Sequence, residues 1–212
     1  RKSVYDEDSL YKLFGVNAEL LIDHAWGYEP CTIADIKAYK PETKSLNSGQ
    51  VLHCPYDAEK AKLVIREMAD LLALDLVDKG LVTESITMYL AYENMLHLEP
   101  SRGSISLRAA SSSAKTILPY VEELFERIAR RDVVIHKANL SFNNLVDEAY
   151  QQYDLFCDPA ELERERKMQR AMLDIKKKFG KNAILKGMNL AEGATTMERN
   201  RQIGGHKAGE EL

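Results

Sequence analysis

Gln152, Tyr153, Asp154, Leu155 and Phe156 form a short peptide with two adjacent apolar side chains in polar surroundings. Leu155 and Phe156 cannot both face one core from a strand. Together they can fill a pocket on another protein, while Gln152 and Asp154 fix an extended backbone by hydrogen bonds. The same residues also read as a hydrophobic staple ahead of a helix started by Asp158 and Pro159. Side chains suited to catalysis are not gathered anywhere. Asp57, Asp70, Asp75 and Asp78 fall on or beside an amphipathic helix, where a solvated face accounts for them. The five histidines are scattered, and no Gly-rich phosphate loop, Ser-His-Asp set or Cys-His pair occurs. Cys31, Cys54 and Cys157 lack the paired spacing of a zinc or redox site. No catalytic and no metal-ligating residue is assigned.

The elements that position these residues come from 212 residues of 45% hydrophobic content, enough for a sizeable core. A net charge of -4 argues against a wholesale polyanion binder, although clustered bases can still build a nucleic-acid face. Separate cysteines fit a reduced, cytoplasmic compartment, and no apolar run reaches the length of a membrane span. The chain opens at Arg1 in a stretch that reads as mid-domain, so a piece of a longer protein is expected.

Leu10, Leu13, Phe14, Leu20, Leu21 and Ile22 recur at helical spacing, interrupted at Gly15-Val16-Asn17, where one helix stops and another starts. Ile33 to Lys44 reads as an extended basic linker. A strand is predicted over Gln50 to Cys54 and an amphipathic helix over Asp57 to Lys79, with Gly80 as its C-cap. Ser85 to Tyr92 and Ser104 to Ala110 alternate as a paired hairpin. A second helix over Ala114 to Arg130 and a strand over Val133 to Phe142 complete the order strand, helix, strand, strand, helix, strand. This is an α+β, split β-α-β arrangement: a four-stranded sheet with both helices on one face. The open face can offer Ser104, Ser106, Arg108, His136, Lys137, Asn139 and Ser141, strand parity leaving undecided which of these share it. Ala160 to Phe179 reads as a charged surface helix. The tail beyond Gly180 is Gly-rich and basic, either disordered or ordered only on a partner.

Several stretches resemble the C-terminal half of bacterial Y-family, translesion DNA polymerases. Tyr11-Lys-Leu-Phe-Gly-Val-Asn-Ala-Glu-Leu-Leu-Ile-Asp-His-Ala-Trp-Gly27 is similar to the end of that family's helical thumb. Lys44-Ser-Leu-Asn-Ser-Gly-Gln-Val-Leu52 resembles the entry into its little finger, and Gly103 to Ile117, with Ser111-Ser-Ser-Ala-Lys-Thr116, an interior segment. Leu185-Lys-Gly-Met-Asn-Leu190 and Arg199-Asn-Arg-Gln-Ile-Gly-Gly-His-Lys207 look like the tail of a Firmicutes-type branch. The peptide Gln152 to Phe156 looks like the one by which bacterial polymerases hold the sliding clamp.

The resemblance implies a thumb remnant over 1–30, a linker over 31–44, a little finger over 45–146 and a C-terminal extension over 147–212. It implies DNA contacts from Lys44, Ser45, Ser48, Gly49 and Gln50, from Gly103, Ser104, Ser106, Arg108, Ser112 and Lys115, and from Gly15, Val16 and Asn17 in the thumb. The expected partners are primer-template DNA and the sliding clamp, with no membrane, for a monomer. No cofactor is expected in this chain, because the family's magnesium-binding acids lie in an upstream palm, and without them the chain should not polymerise by itself. Two rival readings remain. One is a protein-interaction module of a repair or regulatory complex; the other is a ferredoxin-like enzyme or metabolite-binding domain, against which the lack of converging catalytic side chains counts.

Overall fold

A computed structural model describes residues 7–39, 44–93, 98–150, 159–203 and 206–207. Two compact units divide the chain, Arg1–Glu42 and Thr43–Leu212. The peptide Gln152 to Phe156 lies outside the described residues.

The first unit holds α1 (Glu7–Phe14), α2 (Asn17–Trp26) and α3 (Ile33–Ala38). Gly15 ends α1 in the left-handed region, at φ 57°, with its N–H donated to the Tyr11 carbonyl at 2.9 Å. Its own carbonyl accepts from Ala18 at 3.0 Å, so α2 starts at once. α3 corrects the expectation of an extended linker. Thr32 and Asp35 form a reciprocal capping box: Asp35 N–H donates to Thr32 Oγ1 at 3.2 Å, and Thr32 N–H to Asp35 Oδ2 at 2.9 Å. The Thr-x-x-Asp spacing satisfies two N–H groups that the basic composition around it gave no reason to expect in a helix.

In the second unit β1 (Leu46–Tyr56), α4 (Ala58–Lys79), β2 (Leu81–Tyr92), β3 (Ser101–Ser111), α5 (Ala114–Ile128) and β4 (Ile135–Asn143) follow the predicted order. β1, β2 and β3 run beyond their sequence-based limits, β1 by four residues at its start, whereas β4 starts two residues later than expected and ends one residue later. Asp57 caps α4 by accepting the Lys60 N–H at 2.8 Å, Gly80 closes it at φ 63°, and Ser113 caps α5 by accepting the Thr116 N–H at 3.1 Å. The strands lie in the order β1-β4-β2-β3 and every pairing is antiparallel. Each strand-helix-strand crossover therefore skips one strand that belongs to the other. A short β5 (Val146–Asp147) extends the sheet beside the start of β2.

Both helices cover one face. Ile65, Met68, Leu72 and Leu76 of α4 and Ile117, Val121, Leu124 and Phe125 of α5 pack on Leu52, Ile86, Met88, Leu90, Leu140 and Phe142 of the strands. A buried side chain of this size contributes about 1.5–3 kcal/mol, so this layer carries most of the unit's stability.

α6 (Pro159–Phe179) packs against α4 from outside the sheet, burying Gln169 and Met172, and is thus more than a surface helix. Beyond it come a 3-10 turn at Gly187–Leu190, α7 (Thr196–Arg199), β6 (Gln202–Ile203) and β7 (His206–Lys207). Residues 181–203 are ordered on this chain itself, which corrects both alternatives read from their composition. The anchor is Glu67, only 2% exposed in the middle of α4. Its Oε1 accepts from Asn189 Nδ2 at 2.8 Å, and its Oε2 from the Thr195 N–H at 2.7 Å. The Thr195 hydroxyl and the Thr196 N–H add longer bonds of 3.3 and 3.4 Å. A buried carboxylate is costly unless so satisfied, and here the satisfying donors come from the tail.

A candidate nucleic-acid interface on the open sheet face

The pairing registers place side chains in rows across the uncovered face. One row runs Arg102, Tyr89, Asn139 and Gly49; the next runs Ser104, Thr87, Ser141 and Asn47. Ala91, Lys137 and Val51 form a shorter third row, and Ser106 stands opposite Ser85. Within one row Ser141 Oγ donates to Asn47 Oδ1, and between rows Asn143 Nδ2 donates to Thr87 Oγ1 at 3.0 Å. Gly49 makes room for its neighbour, since a Cβ there would come within 2.4 Å of Asn139 Oδ1 and turn that amide aside.

Electrostatically the face is one-sided. None of the residues paired among β1, β4, β2 and β3 carries a carboxylate; Glu84 falls at the irregularity between Thr83 and Ser85, and Asp147 of β5 pairs with Leu81 at the start of β2. Among the described residues Arg102, Arg108 and Lys137 form no ion pair. The net negative charge of the chain therefore resides elsewhere, and the face offers cations, hydroxyls and amides.

The sequence-derived candidates divide. Ser104 and Ser106 belong to the rows, and exposed Arg108 follows by alternation beyond the register shift in β3. Lys44 and Ser45 are exposed at the entry to β1. Ser48 and Gln50 do not share the face: they lie opposite Leu140 and Ala138, on the side of Leu46 and Leu52. Gly103 also looks the other way, opposite Met88, where an added Cβ would lie 2.7 Å from Ile128 Cγ2 and 3.0 Å from Leu124 Cδ1. It lets α5 approach the sheet. Ser112 is buried, with its carbonyl accepting from Gln169 Nε2 at 3.3 Å. Lys115 pairs with Glu161 and gives its N–H to Glu165 at 3.0 Å. The hydrogen bond and charge of Glu161 hold its ammonium above the usual lysine range. Gly15, Val16 and Asn17 form the α1–α2 turn of the other unit, with Val16 84% exposed. His136 sits at the irregularity in β4 between Ile135 and Lys137.

Arg102 and Asn47 complete the face and were not singled out from the sequence. Arg102 has the parity of Ser104, Ser106 and Arg108 and was legible on that signal. Asn47 was not, because the start of β1 is set by pairing with β4.

Among the described residues no three His, Cys, Asp or Glu side chains are grouped to hold an ion. Asp57 caps α4, Asp70 pairs with Lys186, and Asp78 pairs with Lys177. No described helix is long and apolar enough to cross a membrane.

Residues 44–155 match the impB/mucB/samB family C-terminal domain, and the chain belongs to that family. It is 25% identical over 201 residues to UvrX, described as a candidate UV-damage repair protein of Bacillus subtilis (strain 168), a source that fits the Firmicutes-type branch. That alignment covers 94% of this chain and 47% of UvrX, so the chain spans about half the length of the curated relative it matches. Among solved structures it is similar to a Y-family DNA polymerase chimera of Dbh and Dpo4, at 17% identity and TM-score 0.42, over 66% of this chain and 39% of that one. An insertion ternary complex of Dbh DNA polymerase matches at 13% identity and TM-score 0.39, with the same coverage of 66% and 39%.

Proposed function

We propose that this chain is the DNA-gripping and clamp-tethering, non-catalytic portion of a translesion DNA polymerase acting in DNA-damage tolerance. The observation that carries the reading is the open face, whose residues paired among β1, β4, β2 and β3 carry no carboxylate and on which, among the described residues, Arg102, Arg108 and Lys137 form no ion pair and stand amid hydroxyls and amides. An enzyme that copies arbitrary, damaged template needs contacts that ignore sequence, and phosphate-directed cations, hydroxyls and backbone amides supply them. Four strands span about 14 Å, of the same order as the width of the major groove.

The contact set is Lys44, Ser45, Asn47, Gly49, Arg102, Ser104, Ser106, Arg108, Lys137 and Asn139. Ser48, Gln50, Gly103, Ser112 and Lys115 act on it indirectly, through packing. Gly15, Val16 and Asn17 form a second contact at the exposed turn between α1 and α2. The peptide Gln152 to Phe156 tethers the chain to the sliding clamp. A tether raises the local concentration at the primer end, so a modest DNA grip suffices. The metal-binding acids of the reaction belong to the upstream palm.

The test is a titration of primer-template duplex at several salt concentrations. The reading expects log affinity to fall linearly with log salt, with a slope near 0.9 per phosphate contacted. Binding that ignores salt, or no binding, would return the face to a protein-interaction role.

A further inference from the structure

Between the outer edge of β1 and the C-terminal segment lies a cleft of about 380 Å³, lined among others by Gln50, His53, Lys137, Asn139, Arg199 and Gln202. We infer that this cleft is a further backbone-phosphate site, continuous with the open sheet face, in which Arg199 supplies a preset charge. The inference rests on the DNA-binding reading above and extends it to a segment outside the matched family domain.

Arg199 is held by neutral groups. Its Nη1 donates to Gln50 Oε1 at 2.8 Å and its Nη2 to the Gly49 carbonyl at 2.9 Å. Burial pushes the guanidinium below its ordinary range, an effect the Glu67 charge opposes. Two neutral acceptors orient the planar fork without neutralising it, and an oriented, partly desolvated guanidinium is suited to a phosphate.

The position of that charge is fixed from the far side. Arg199 ends the short α7, and Thr195 and Thr196 at the start of the same turn are tied to buried Glu67. The side chain therefore stands at the edge of β1 before any ligand arrives, which removes an ordering cost from binding. Lys137 and Asn139 line the cleft and also belong to the rows of the open face, so a strand lying across the sheet meets the cleft at its border. Lys137 and Arg199 outnumber the one carboxylate of the lining, Glu198, and Gln202 and Asn139 add amide donors.

The experiment measures the affinity of the whole chain for primer-template duplex as a function of salt, for Arg199→Ala, Gln202→Glu and the pair Arg102→Ala/Arg108→Ala. Gln202→Glu brings a second carboxylate into the cleft and leaves the Arg199 fork in place, as unchanged hydrogen-exchange protection over 187–199 would verify. Arg199→Ala is expected to weaken binding several-fold and lower the salt slope by about one, as for loss of one phosphate contact. Gln202→Glu should weaken binding in the same direction. If Arg199→Ala weakens binding but Gln202→Glu does not, Arg199 is only a brace for the edge strand and the site is overturned. If Arg102→Ala/Arg108→Ala lowers the slope while both cleft variants leave it unchanged, the cleft fails and the DNA-binding reading stands. If no variant changes binding, both fall. Inorganic phosphate, titrated alone, tests the source of the anion: binding as tight as that of the duplex would overturn the assignment to a nucleic-acid backbone.

Discussion

The two faces of the sheet are built from alternate residues of the same four strands, yet they carry unlike burdens. Leu140 and Phe142 are fully buried against the helices, while Asn139, Ser141 and Asn143, their chain neighbours, stand on the open side. On the covered face each side chain has many partners that cannot move apart without leaving a void. On the open face the side chains touch mainly their row neighbours and solvent. One face can therefore be rewritten for binding with little effect on folding, and the other cannot.

Truncation of the covered face should have the largest effect: Leu140→Ala is expected to destabilise the second unit by about 2–5 kcal/mol in urea unfolding. A cost no greater than that of an open-face change would mean that the helix layer is not the core. Next comes the anchor of the tail. Glu67→Ala leaves Asn189 and the Thr195 and Thr196 N–H groups without their acceptor and should cost about 2–3 kcal/mol, with hydrogen-exchange protection lost first over 187–199. Uniform loss of protection would show that the tail and the sheet unfold as one piece.

The two glycines sharpen the comparison further. Gly103→Ala drives a methyl group into Leu124 and Ile128 and should lower stability by about 1–3 kcal/mol, whereas Gly49→Ala meets only the amide end of Asn139 and should cost less. Asn139→Ala added to Gly49→Ala should recover most of that smaller loss in a double-mutant cycle. Smallest in stability is Arg102→Ala/Lys137→Ala, expected within about 0.5 kcal/mol of the parent chain by thermal unfolding, although the salt slope of DNA binding falls by about 0.9 per lost phosphate contact. Leu155→Ala/Phe156→Ala should leave both stability and DNA affinity unchanged and abolish binding to a bacterial sliding clamp, measured by fluorescence anisotropy.

Much of the architecture was legible because it is local. Asp57 and Gly80 mark the ends of α4, Ser113 marks the start of α5, and period-two alternation identifies β2 and β3. The capping box at Thr32 and Asp35 was equally local and was hidden by the basic residues that follow it. The face was legible only in part. Ser104, Ser106 and Arg108 share a parity that can be read along one strand, but their relation to Asn139 and Asn47 depends on the registers of strands far apart in sequence. Gly103, Ser112 and Lys115 looked like companions of Ser104 because they are close in the chain. Gly103 alternates to the other face, and α6 engages the other two.

The sequence by itself determined the order of elements from β1 to β4, both ends of α4, the start of α5 and the family to which residues 44–155 belong. These depend on short-range chemistry: caps, turn glycines and the period of apolar residues. Tertiary structure alone decided which polar residues share the open face, that Glu67 is an anchor, and that Arg199 stands against the edge of β1. The first brings together residues as far apart as Asn47 and Ser141, and the other two groups more than a hundred residues apart, Gly49 and Arg199 among them, and no local pattern encodes such meetings. They follow from the one packing arrangement that buries the apolar helix faces and supplies a buried carboxylate with donors from the tail.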